Sequence, residues 1–180
     1  MRILLDACIL YPTIMREVLL GAASEGAFAP LWSARILEEW HRAAARLGAA
    51  QEQVAGVEIA LLRAKWPKAE IAASDHADLW LPDENDIHVL AAAIAGKADT
   101  IMTRNLKDFP TRILAGHQII RRDPDSFLVE FTHENRAAML RVAQNIQQAA
   151  ELHSGEAKDI RKLLKRTGLP RLGKLLTTQP

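Results

Sequence analysis

At 180 residues, 49% hydrophobic, 25% charged and with a formal net charge of +1, the chain has ordinary globular composition, which excludes wholesale disorder. Its single cysteine, Cys8, excludes an internal disulfide or a cysteine-based zinc cluster and fits a cytoplasmic setting. No apolar stretch reaches transmembrane length, so no membrane association is expected, and Asp6, Pro12, Arg16 and Glu17 interrupt the N-terminal apolar run that a signal peptide would need.

Residues 2–6 read as a short strand of almost continuous apolar character, typical of parallel strands covered on both faces. A helix is predicted over 12–26, opened by Pro12 and ended near Gly26. Phe28 to Trp32 reads as a second strand, weakened by Pro30. Ser33 then caps a helix with Ile36, Leu37, Trp40, Ala44 and Leu47 at helical spacing. Another helix covers 51–65 and stops at Pro67, and the segment AEIAAS (69–74) is expected to be extended and followed by a loop.

Pro82 and Asp83 open the best-patterned helix, in which Ile87, Leu90, Ala91, Ile94 and Ala95 share one face and Gly96 closes the turn. Thr100–Thr103 and His117–Arg121 read as strands, and Asp125–Phe131 as a short helix. A long helix is expected over 134–153 and a basic one over 156–166, with 167–180 fading into an irregular end. Short apolar strands alternating with helices predict an α/β fold with a central, mainly parallel sheet flanked by helices, followed by a helical C-terminal extension.

In such sheets the functional crevice lies beyond the carboxyl ends of the strands. Three segments then converge there: Asp6 at the end of the first strand, Asp83 and Asp86 at the opening of a helix, and Asn105 to Asp108 after the strand at 100–103. Within the helix after Ser33, Glu39 lies roughly 110° from the centre of the apolar stripe and Glu38 roughly 150°. Glu39 is therefore the residue able to lean over the sheet, and Glu38 should face water. Carboxylates gathered in one crevice repel and take up protons unless a cation neutralises them. Oxygen ligands without cysteine or a close histidine pair suit Mg²⁺ or Mn²⁺, and the chemistry such ions serve is phosphodiester cleavage. The plainer alternatives are helix capping by Asp83, a dipole-favoured acid at Asp86 and a simple turn at Thr103–Asn105.

The succession of Asp6, SARILEEW, DENDIHVLAAAIAGKADTIMTRNLKDFP and DPDSFL resembles the PIN-domain nucleases over about residues 1–131. The resemblance implies a three-layer PIN-like fold for 1–131 with 132–180 as a helical, basic extension. It also implies a Mg²⁺- or Mn²⁺-dependent endoribonuclease of the toxin–antitoxin kind, with an RNA substrate, a cognate antitoxin partner and a homodimeric state. By the same resemblance Asp6, Glu39 and Asp86 are the catalytic acids and Asp83 an auxiliary metal ligand. Thr103 supplies the hydroxyl that supports the first acid and stands with Asn105 beside the substrate. The family's fourth acid falls at Asn105, a departure that leaves Asp108 to supply the carboxylate and act as catalytic and metal-ligating residue; if it does not, a non-cutting RNA- or protein-binding scaffold is the alternative.

Arg104, next to this site, is a candidate for phosphate contact. A phosphotransfer reading centred on Asp6 would need a second acid where Cys8 stands. Lys158, Arg161, Lys162, Lys165, Arg166, Arg171 and Lys174 face only Asp159 in the tail, which fits phosphate binding, a partner contact or a solvated helix face equally. Of the scattered histidines, His88 is nearest the acids and is expected not to ligate; His76 is one of the others. The four tryptophans are expected mainly in the core, and Cys8 is expected to be buried and inert.

Overall fold

The computed structural model describes residues 1–72 and 78–178. The described chain forms two compact units, one from residues 1–11 and 28–122 and the other from 12–27 and 123–180. The expected fold class is observed. The first unit holds a five-stranded, all-parallel sheet in the order β3-β2-β1-β4-β5. Its strands are β1 (Arg2–Leu5), β2 (Ala29–Ser33), β3 (Glu70–Ile71), β4 (Thr100–Met102) and β5 (Ile120–Arg122). Ile3, Leu4 and Leu5 are all solvent-free. Successive side chains point to opposite faces, so both faces of β1 are covered, as its unbroken apolar run predicts.

Pro30 sits inside β2 without breaking it. The amides of β2 alternate between neighbours: Ala29 donates to Met1 on the β1 side, and Trp32 to Ala69 on the β3 side. Position 30 shares the direction of Trp32, but β3 pairs only with Trp32 and Ser33. The missing N–H therefore faces a stretch with no partner strand.

Ser33 ends β2 and caps α3 (Ala34–Ala45) by accepting from the Ile36 amide at 3.2 Å. The helix buries Ile36, Leu37, Trp40 and Ala44. Leu47, expected on the same stripe, lies past the helix end and is exposed. Helix α4 (Ala49–Lys65) follows and stops before Pro67. Of AEIAAS, Glu70 and Ile71 are strand; Ala73, Ser74 and also His76 lie outside the described residues.

The helix expected from Pro82 begins later, as α5 (Ile87–Ala95), preceded by a one-turn 3-10 helix over Glu84–Asp86. The Asp83 carboxylate draws in both the backbone and the side chain of Asn85 at 2.9 Å, which tightens that first turn. Gly96 closes α5, but in the right-handed region at φ −76, and Lys97 takes the positive φ of 48. The space at 96 is tight: a Cβ there would lie 3.0 Å from the Ala92 carbonyl oxygen and 3.1 Å from both Leu31 and Ile71. Helix α6 (Thr111–Gly116), not anticipated, occupies the loop before β5 and delays that strand to Ile120.

The second unit is helical: α2 (Thr13–Ser24), α7 (Pro124–Glu134), α8 (Arg136–Ser154), α9 (Ile160–Thr167) and α10 (Pro170–Thr177). The segment expected to fade after residue 166 is ordered as α10. Pro170 opens that helix, and the buried Asp125 of α7 accepts from the amides of Arg171 at 3.0 Å and Leu172 at 2.9 Å. Leu164, Leu169, Leu172 and Leu176 are buried core residues here, while Leu163 and Leu175 are half-buried. Among the described residues no helix is long and apolar enough to cross a membrane.

Candidate metal centre

The site is built where β1 and β4 end side by side. Leu5 is in register with Met102, and the Asp6 amide donates to the Met102 carbonyl at 3.1 Å. Asp6 is the residue before α1 (Ala7–Leu10), yet its carboxylate makes no capping bond to that helix. It is instead a buried acceptor, 7% exposed. Thr103 Oγ1 donates to Asp6 Oδ2 at 2.7 Å, and Cys8 Sγ donates to the same oxygen at 3.0 Å. Thr103 itself is solvent-free, and its hydroxyl accepts from the Asn105 amide at 2.9 Å. A buried carboxylate survives through such charge-assisted donors. Thr103 thus supports Asp6 from a position with no exposed surface.

Cys8 is only partly covered as a residue, but its thiol is committed. Burial first, and the Asp6 carboxylate second, push it up to about 12. The sulfur therefore stays protonated, donates to Asp6 and receives the Arg104 amide at 3.3 Å. A thiol held in this way is no thiolate ligand. Sequence reasoning missed this role, although the two-residue spacing from Asp6 at a helix start was a signal for it.

The other acids come from two further segments. Oxygens of Asp83, Asp86 and Asp108 lie within 4.8 Å of one another. Asp83 both caps its turn and joins this cluster, so the capping and clustering roles coexist. Asp108 ends a one-turn 3-10 helix over Leu106–Asp108 and accepts a hydrogen bond from the Asn105 side-chain amide. Asn105, where the family pattern carries an acid, thus hands a donor to the carboxylate three residues on. Asp86 Oδ2 is buried and has no hydrogen-bond partner. Its carboxyl is pushed up to about 6, chiefly by burial and then by the charges of Asp6, Asp83 and Asp108, with His88 opposing.

These features fit a divalent cation. A buried carboxylate oxygen without a partner, three acids at one point and an all-oxygen donor set suit a hard divalent ion. Glu39 is not part of the three-acid cluster. It is half-buried while Glu38 is exposed, as the helix angle predicts. Its Oε1 lies 2.6 Å from Nε2 of the buried His88 and 3.9 Å from Arg35 Nε. Sequence spacing gave no sign of this Glu39–His88 contact. Arg104 and Lys107 are exposed beside the cluster segments. Trp32 and Trp40 are core residues, whereas Trp80 is 65% exposed.

An all-parallel α/β sheet with carboxylates collected at the carboxyl edge of its strands defines the general class. The PIN domain family matches residues 2–107, more than half of the chain, and the chain belongs to that family. It is also similar to a Mycobacterium tuberculosis (strain ATCC 25618 / H37Rv) protein named "Putative ribonuclease VapC50", at 49% identity over 45 residues. That similarity covers 25% of this chain, and the chain spans only 27% of the relative's length. No solved structure matches the chain significantly.

Proposed function

We propose that this PIN-domain chain is a Mg²⁺- or Mn²⁺-dependent endoribonuclease and the toxin of a type II toxin–antitoxin pair. One observation carries the reading: Asp83, Asp86 and Asp108 bring oxygens within 4.8 Å of one another, and Asp86 carries a buried oxygen without a hydrogen-bond partner. Asp83, Asp86 and Asp108 hold the ion, together with Asp6, whose charge acts on Asp86. When bound, such a cation acidifies water for attack on phosphorus and neutralises charge on the departing oxygen.

The chain's own residues do the rest. Thr103 and Cys8 fix the Asp6 carboxylate in one orientation, and Asn105 fixes that of Asp108. Arg104, exposed beside them, binds substrate phosphate, and Glu39 acts from the rim with His88 as its neighbour. The nuclease domain is taken as 1–131, with 132–180 as a helical extension that shares a compact unit with 12–27.

A cognate antitoxin, a homodimeric state and a cytoplasmic site of action complete the proposal, on the strength of the VapC name of the similar M. tuberculosis protein and the PIN family. The exposed apolar residues Val54, Val57 and Leu61 on α4 give one surface that a partner protein would cover. The test is RNA cleavage by purified chain freed of partner. Cleavage is expected only with added Mg²⁺ or Mn²⁺ and is expected to vanish in Asp6→Asn; metal-independent cleavage, or none at all, defeats the reading.

A further inference from the structure

We infer that Arg121 is a positioning residue for the Asp108 arm of the metal centre. The inference rests on the metal-nuclease reading above. Asp108 is delivered by a single 3-10 turn whose own bonds are long, with Asp108 N to Asn105 O at 3.3 Å and Phe109 N to Leu106 O at 3.4 Å. Ordinary N–H···O bonds fall at about 2.7 to 3.2 Å, so this turn is weakly self-supporting. Phe109, solvent-free, anchors its far end.

The near fixings come from another strand. Arg121 sits in β5, paired in register with Ile101 of β4. Its Nη1 donates to the carbonyl of Leu106 and, at 2.8 Å, to the carbonyl of Phe109. These two carbonyls bracket the turn that bears Asp108. A half-buried guanidinium, always charged and rigid, thereby ties the turn to the sheet from which Asp6 and Thr103 also project. Oxygens of Asp108, Asp83 and Asp86 lie within 4.8 Å of one another, and the three share an ion only while Asp108 keeps that approach. Arg121 sets that approach without touching the ion or substrate.

The decisive measurement is Mn²⁺ affinity of the full chain, read from the free-Mn²⁺ electron paramagnetic resonance signal. Arg121→Ala is expected to weaken binding about tenfold or more, the usual penalty for losing a group that orients a ligand, and Arg121→Lys to recover part of it. In an Asp108→Asn background, Arg121→Ala should change affinity by less than about twofold, because residues that act through one another are not additive. A purely structural role would weaken binding equally in both backgrounds, and that result overturns the inference. So does wild-type affinity in Arg121→Ala while Asp108→Asn binds weakly, an outcome that leaves the metal centre standing. Absence of Mn²⁺ binding by the unsubstituted chain instead defeats the metal-nuclease reading and this inference with it. If circular dichroism shows that Arg121→Ala does not fold, the same cycle is run with Arg121→Gln, whose shorter side chain retains an amide donor, and the same outcomes decide.

Discussion

Replacing Asp86 by asparagine should stabilise the metal-free protein at neutral pH, the reverse of what loss of a charged residue usually does. Burial, with Asp6, Asp83 and Asp108 behind it, raises the Asp86 carboxyl from an ordinary 3.8 to about 6. The folded chain therefore holds this proton more tightly than the unfolded chain between about pH 4 and 6. Stability is lost as pH rises through that window and stays lost above it. The shift sets a ceiling of about 3 kcal/mol. Asp86 is half-buried, and solvent screening reduces the figure to about 1 to 1.5 kcal/mol.

For a chain of this size that is a gain of about 3 to 5 °C in Tm for Asp86→Asn at pH 7.5 in chelator, shrinking to nothing near pH 4. Calorimetric melts at several pH values measure it. Saturating Mn²⁺ should invert the order. The wild type gains about 2.7 kcal/mol when the ion stands at a hundred times its Kd, and the variant, short of one ligand charge, gains less. An asparagine variant that melts below wild type in chelator at pH 7.5, or a difference that ignores pH, refutes the electrostatic account of the cluster.

Two further predictions concern structural support. Thr103→Val removes the 2.7 Å donor to Asp6 and the acceptor of the Asn105 amide at a solvent-free position, and should cost about 2 to 3 kcal/mol in urea unfolding, with Thr103→Ser largely neutral; a loss under about 0.5 kcal/mol speaks against it. Asp125→Ala strips the first turn of α10 of its two amide partners and should cost about 2 to 4 kcal/mol, with faster tryptic cleavage at Arg171 as the local readout.

Legibility in the sequence followed the range of the interactions. The strands β1 and β4, the Ser33 cap and α5 each declare themselves within a few neighbouring residues, because periodicity and caps are local signals. Asp6 was legible for the same reason: a charge closing an apolar strand is costly unless something distant pairs with it. The something distant was harder to read. Thr103 came from family resemblance, while Cys8 looked inert and proved to be a donor. The helix α10 was invisible because its cap, Asp125, lies far up the chain, and nothing in GLPRLGKLL announces a partner so remote.

The same reasoning explains why the loop from Asn105 to Asp108 was the open point. Read locally, asparagine at 105 removes a carboxylate. Read in three dimensions, its amide orients the carboxylate of Asp108, and Arg121 from β5 ties down the carbonyls on both sides. A long side chain reaching from β5 to the turn after β4 leaves no periodic trace, so a positioning group of this kind is found only once the sheet order is known. The completeness of the acidic site then depends less on which residue type stands at 105 than on whether the turn holds Asp108 against Asp83 and Asp86. That is a mechanical condition, and it makes Arg121 and Asn105, neither of them an acid, the places where metal affinity can be lowered with every carboxylate intact.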